Sequence, residues 1–456
     1  MQTRPSQPGV ANPSVATESP DGGVSARKLR VVVSSVNFAP DHAGIGVYST
    51  DFPVFLAEQG DDVTMVTGFS YYPRWLKRAE DVGRLFRSEV FRRVRVLRGY
   101  LYVPRNVTTI KRLIHETTFA FFALLNFLRA RRPDVIVVFT PPFFLGGVGV
   151  LMKWLWRRPL VINIQDLPLD AALALKMLKR NILFRYLQPI EAWIYRQADL
   201  VVTISPDMLK NVRAKGVLRE RSLLCPNWID VEAAGKPATA GKFLRNHEAA
   251  RGKFTVAYAG NIGIKQGIDA LLRAAKEVET ENDVHLFVIG DGADKDRLLA
   301  LHAELGLRCV TFVPFLGPEE YREMLTDVDA VFVAQRSGAG NNFFPSKLLG
   351  VMAQAKPLLV AADRDSELAK VIAESGCGLV SAYGQPEELA ANIRRMKSIG
   401  RDALRSMGQQ GVRRVKAFDR SEVLGSWRSV IEQLVTARLR GEKHRVAEAE
   451  NAVSGG

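Results

Sequence analysis

The sequence predicts an α/β protein made of two doubly wound units, each a parallel sheet covered by helices, facing one central cleft. Three observations predict it. Short, nearly continuous apolar runs alternate with helical patterns, as strands buried on both faces require. The alternation lapses once, over residues 226–252, and then restarts. Apolar residues make up 47% of the 456, enough for two full cores.

Residues 1–27 are polar and rich in Pro, Ser and Gly, with no apolar run before the first strand, so a disordered tail and no secretory signal are expected. The first unit, 28–225, opens with the β-branched run Leu29–Ser35. A Pro/Gly loop follows, then a helical pattern over Val47–Gln59 and a strand in DDVTMVTG. Beyond an Arg-rich stretch, Thr117–Arg129 reads as an apolar helix. Strands are expected at Asp134–Thr140, Pro159–Asp166 and Ala198–Ser205. Residues 226–252 lack periodicity and read as a linker. The second unit, 253–415, places strands at Lys253–Gly260, His285–Gly292, Val310–Phe315, Ala330–Gln335 and Pro357–Asp363. Residues 441–456 read as a second polar tail.

Three cysteines, Cys225, Cys309 and Cys377, match neither a disulfide framework nor a zinc site, which points to a reducing compartment. Six scattered histidines form no ligand pair, so no bound metal is expected. A net charge of +15 implies an acidic partner: nucleic acid, a phosphorylated substrate or an anionic membrane. No apolar run reaches the roughly 18 residues that would span a bilayer.

Open α/β sheets bind ligands beyond the carboxyl ends of their strands, so the loops there were read for chemistry. Gly44 and Gly46 precede the first helix, where backbone N–H groups meet an anion at the positive helix end; a simple tight turn fits as well. In YAGNIGIKQG the glycines Gly260, Gly263 and Gly267 make a turn, and Lys265 stands ahead of a helix, as in a diphosphate cradle. The competing reading is a solvated loop lysine. In SGAGNNFFPSKLLGVM, Asn341 and Asn342 could contact sugar or phosphate, or the segment is a surface loop; its helix starts near Pro345 or Ser346. Asp166 ends a core strand facing the cleft, where it could take a proton from an acceptor hydroxyl; for nearby Asp170 a helix cap is favoured. His115, alone on a helix, reads as packed or solvated, and the strings Asp327–Asp329 and Asp363–Asp365 lack supporting ligands. Between Arg74 and Arg112 lie twelve basic residues against three acidic ones, with aromatics interleaved and an apolar helix following. That pattern suits an anionic membrane surface; nucleic acid or a solvated charged face are the alternatives.

The stretches NFAPDHAGIGVYS, GFSYYPRW, NIQDLPLDAA, PNWID, YAGNIGIKQG, VIGDG and FFPSKL together resemble glycosyltransferase family 4, in its exopolysaccharide (colanic-acid-type) branch, over about residues 29–437. The resemblance implies the GT-B architecture, two Rossmann-like domains facing a cleft, with a C-terminal helix within 416–440 crossing back to the first domain and packed by Trp427. It implies retaining transfer from a nucleoside-diphosphate sugar, no bound cofactor or metal, and a lipid-diphosphate-linked glycan acceptor. It also implies a cytoplasmic place on the inner face of the cell membrane, with no nucleic acid partner. The donor residues it implies are Gly44, Gly46, Gly260, Asn261, Lys265, Gly290, Val313, Phe315, Asn342, Phe343, Ser346 and Lys347, with Asp166 and Lys265 in catalysis. Two departures stand out. Asn342 and Gly350 replace the family's frequent pair of glutamates, and Asn261 replaces its phosphate-loop arginine. A nucleotide-sugar 2-epimerase and a silent scaffold subunit of a polysaccharide complex are the rival readings.

Overall fold

The computed structural model describes residues 27–41, 44–72, 75–106, 108–167, 169–170, 182–337 and 347–442. Most of the polar tails, 1–26 and 443–456, and the expected donor residues Asn342, Phe343 and Ser346 lie outside the described residues. The first sheet holds β1 (Arg30–Ser35), β2 (Asp62–Gly68), β3 (Phe86–Phe91), β4 (Val94–Gly99), β5 (Val135–Thr140), β6 (Leu160–Ile164), β7 (Leu200–Thr203) and β8 (Ser222–Leu224). Its order is β3-β4-β2-β1-β5-β6-β7-β8. The second holds β9 (Phe254–Ala259), β10 (Val284–Ile289), β11 (Val310–Val313), β12 (Ala330–Ala334), β13 (Leu358–Ala362) and β14 (Gly378–Ala382), in the order β11-β10-β9-β12-β13-β14.

Every pairing is parallel except β3 with β4. The central strands are buried because helices cover both faces: β5 and β10 are buried throughout, with Thr140 and His285 their polar positions. In each sheet the strand order reverses beside the first strand, between β1 and β5 and between β9 and β12. Chain leaving the carboxyl ends of those neighbours diverges to opposite faces and opens a crevice. The loops singled out in the sequence sit there.

The Arg-rich stretch holds two of the four strands that periodicity missed, the others being β8 and β14. β3 and β4 form an antiparallel pair, with Arg87 opposite Arg98. Arg98 is 1% exposed, and its guanidinium donates to Glu89 (2.7 Å) and to the carbonyls of Gly68 (3.2 Å) and Ala39. Arg87 is shared among Glu80, Asp81 and Glu89. The charge expected to face outward is therefore partly internal: the sheet edge uses it to bind carboxylates and free carbonyls. Arg84, Arg92, Arg93, Arg95 and Arg105 remain exposed.

Residues 226–252 contain short helices, Val231–Gly235 and Lys242–Arg245, and Phe243 and Ala250 pack into the second core. Four helical residues give no readable period, which is why the segment looked structureless. The helix Arg420–Arg440 docks on the first domain. Trp427 is 1% exposed and stacks on Phe52 at 4.0 Å, with Phe139 and Trp228 around it. Arg428 pairs with fully buried Asp61 at 2.9 Å. The two crossings between domains run side by side: Ile229 N–H donates to Phe418 O (3.0 Å), and Arg420 N–H to Ile229 O (2.9 Å).

Candidate functional site

Beyond β9 the chain turns through Gly260–Gly267. Its closeness to the end of β10 is permitted by Gly290, at φ +137°: a Cβ there would stand 1.9 Å from the Gly260 carbonyl oxygen. Gly290 N–H donates to Val313 O at 2.9 Å, so Val313 acts through its backbone. The Tyr258 hydroxyl donates to Asn261 O at 2.5 Å and fixes the turn. Lys265 sits in the single 3-10 turn Ile264–Gln266, and its carbonyl accepts from Arg336 N–H at 3.0 Å. That bond ties the loop to the exit of β12, at the reversal of strand order. Phe315, beyond β11, is exposed.

The first domain contributes two parts. Gly44 caps the helix Ile45–Glu58 at φ +58°, a left-handed backbone that side chains strain to adopt, and it is exposed. Gly46 lies against the Asp41 carbonyl, where a Cβ would meet the oxygen at 2.7 Å. Asp166 follows β6. Its Oδ2 accepts from Lys265 Nζ at 2.9 Å, while its buried Oδ1 has no hydrogen-bond partner among the described residues. The two residues expected in catalysis thus meet across the cleft as an ion pair, both about 70% buried at the side chain.

A second carboxylate crosses the same gap. Glu367, opening the helix Glu367–Ser375, reaches Ser205 and Asp207 of the first domain. Burial first, and Asp207 besides, raise its carboxyl to about 7, against the Ser205 hydrogen bond. Sequence reading missed Glu367 because an acidic residue in a first helical turn looks like a dipole partner. It missed Tyr258 because an aromatic in a core strand looks like packing.

Other candidates resolve as structure. Asp170 pairs with Lys215 at 2.7 Å beside buried Glu191, and residues 171–181 that follow it lie outside the described residues. His115 is buried: Nδ1–H donates to Tyr102 O (2.6 Å), Nε2 accepts from the Tyr71 hydroxyl (3.0 Å), and burial lowers its pKa to about 4. Asp327 accepts the Phe243 and Leu244 amides, and Asp329 binds Thr255. All three cysteines are buried and free. Lys347, expected at the donor, stands under Gly260 with its Nζ 3.8 Å above the Tyr258 ring.

The family profile described as Glycosyl transferase 4-like domain matches residues 43–228, and the one described as Glycosyl transferases group 1 matches 241–414. WcaI of Escherichia coli K12, named as a colanic acid biosynthesis glycosyl transferase, is 30% identical over 377 residues, covering 80% of this chain and 90% of WcaI. Among solved structures, sucrose-phosphate synthase of Thermosynechococcus elongatus superposes with TM-score 0.71 at 18% identity, over 90% of this chain and all of that one. HepE of Anabaena, solved with UDP and glucose, superposes with TM-score 0.66 at 14% identity, over 88% of this chain and 99% of that one.

Proposed function

The chain belongs to the family-4 glycosyltransferases of GT-B architecture, and from that premise we propose that it moves a hexose from a nucleoside-diphosphate sugar to a lipid-diphosphate-linked glycan, with retention, in polysaccharide biosynthesis on the inner face of the cell membrane. The observation that carries the reading is the Lys265–Asp166 pair at the meeting of the two strand-exit loops. A diphosphate on the Gly260 loop presents its leaving oxygen to Lys265, which offsets the charge that grows as the bond to C1 breaks. Asp166 is thereby released to hold the acceptor hydroxyl, through the oxygen that has no partner among the described residues. The exposed Phe315 ring offers a face for the base, and Gly44 and Gly46 line the sugar side. The nucleotide and glucose held by HepE support a donor of this class.

The test is a panel of nucleotide sugars screened by thermal shift, then by transfer. A donor at about 100 times its dissociation constant adds about 2.7 kcal/mol of stability. No shift with any nucleotide sugar would sink the reading.

Lysine charge beside the diphosphate does the work that a divalent ion does in metal-dependent transferases. Among the described residues no group of three His, Cys, Asp or Glu offers a metal site. Transfer is therefore expected to survive exhaustive chelation. Complete loss, restored by magnesium or manganese, would overturn this part.

The membrane reading rests on a surface. Three helices on one side of the first sheet, Thr109–Arg129, Phe143–Trp156 and Ile182–Gln197, leave a shared apolar face. Ile110, Ile114, Phe121 and Leu128 form a stripe on the first, Leu151, Trp154 and Leu155 on the second, Ile190 and Trp193 on the third. Trp154 and Trp193 touch edge to face at 5.9 Å, so the patch is continuous. Arg112, Arg131, Arg132, Arg157 and Arg196, on or next to these helices, are exposed, as are Arg92 and Arg93 in the β3–β4 turn and Arg95 of β4. Among the described residues no helix is long and apolar enough to cross a membrane. Vesicle co-sedimentation is expected to favour anionic over neutral lipid, at about 1 kcal/mol per basic side chain, and to weaken with salt. Reversing Arg92, Arg93 and Arg95 to Glu should weaken the salt-sensitive part, and Trp154→Ala with Trp193→Ala the salt-resistant part. Equal binding of both lipids by all variants would refute the docking face.

A further inference from the structure

Among the described residues, the Lys347 side chain is turned inward with no carboxylate beside it. Lys347 opens the helix Lys347–Ala353, and its ammonium is folded inward under the phosphate loop. Its Nζ lies 3.8 Å above the Tyr258 ring, 3.3 Å from the Ala259 carbonyl, and 3.0 Å from the place a Cβ would take at Gly260. Among the described residues no carboxylate pairs with it. A ring face and one carbonyl return little of the hydration an ammonium loses on burial. Lys265 is differently placed, with the Asp166 carboxylate at 2.9 Å. Position 261, where the family's phosphate loop carries an arginine, holds Asn261, whose carbonyl is taken by the Tyr258 hydroxyl.

We infer that Lys347, held uncompensated beneath Gly260, is the principal cation for the donor's diphosphate, and that it takes up a proton from solvent when the diphosphate binds. The inference rests on the nucleotide-sugar reading and changes which lysine serves binding: Lys347 grips the ground-state diphosphate, and Lys265 acts once it leaves Asp166. Desolvation is the cause that lowers the Lys347 pKa to about 7, so at slightly alkaline pH much of it is the neutral amine in the empty protein. An anion within about 4–6 Å favours the ammonium, so the amine, a proton and the diphosphate combine as one ion pair. Among the described residues, Tyr258 is the titratable side chain shown in contact with the group, and burial keeps it neutral.

The experiment is calorimetry of UDP, and separately of inorganic pyrophosphate, at pH 7.5 in buffers of differing ionisation enthalpy. Wild type is compared with Lys347→Met and Lys347→Arg, each checked by melting. Wild type is expected to take up most of a proton per UDP, roughly three quarters for a group titrating near 7. Lys347→Met should bind UDP about tenfold or more weakly without uptake, yet melt no lower, because it removes a buried charge. Lys347→Arg should bind with no uptake. Equal affinity and equal proton count in wild type and Lys347→Met would overturn the inference and leave the nucleotide reading standing. Uptake with pyrophosphate, but no binding of UDP, would uphold the anion site and sink the nucleotide reading. No binding of either anion by wild type would overturn the inference.

Discussion

Lys265→Ala is expected to lower transfer at saturating donor by about a hundredfold while the protein melts where the wild type does. The two halves of the expectation have different physical sources. The rate falls because a positioned cation at the leaving diphosphate contributes about 3 kcal/mol in the transition state, where the negative charge is largest. The melting temperature holds because the Lys265–Asp166 pair is partly solvated, at 31% and 27% side-chain exposure, and such pairs contribute about 1 kcal/mol or less. Asp166→Asn is the companion. It removes the pairing charge but keeps the shape, so a strong fall in rate in both variants points to two roles, and a fall in Lys265→Ala alone leaves Asp166 as its tether. A near-wild-type rate in Lys265→Ala would remove that lysine from the mechanism.

Trp427→Ala carries the largest expected loss of stability, about 3–5 kcal/mol. The indole is sandwiched by Phe52, Phe139 and Trp228 between the returning helix and the first core, and truncation leaves a cavity that a helix tied at Arg420 and Arg428 cannot collapse. At about 2–4 °C per kcal/mol the first domain should melt roughly 6–20 °C below wild type. Trp427→Phe should recover most of it, since the indole Nε1 has no hydrogen-bond partner among the described residues to lose. A shift of a degree or two would mean that the helix adds little to the first domain.

The family's missing glutamates, at Asn342 and Gly350, bear on how the donor is held. Gly350 lies in the helix that starts at Lys347, and among the described residues the Ile229 side chain is near the place of a Cβ. On the proposed reading, Asn342, Gly350 and Asn261 together leave fewer charged contacts for a nucleotide than the family pattern offers, and more of the demand falls on lysine.

The sequence by itself determined the two sheets, their strand exits and the order of the loops. Those features are written in local periodicity: β5 and β10 are nearly continuous apolar runs because both faces are covered, and Gly290 stands where only glycine lets two strand exits touch. It also supplied the residues Asp166, Lys265 and Lys347, but not their states. Tertiary structure decided those, because the state of a charge depends on what faces it, and the facing group can be far along the chain. Lys265 meets a carboxylate 99 residues away, whereas Lys347, in the same crevice, meets an aromatic ring and a carbonyl. For the same reason the arginines between 74 and 112 could not be divided by sequence into those buried at a sheet edge and those left to water. Nor could sequence foresee that Trp154 and Trp193, on separate helices, join one exposed apolar face.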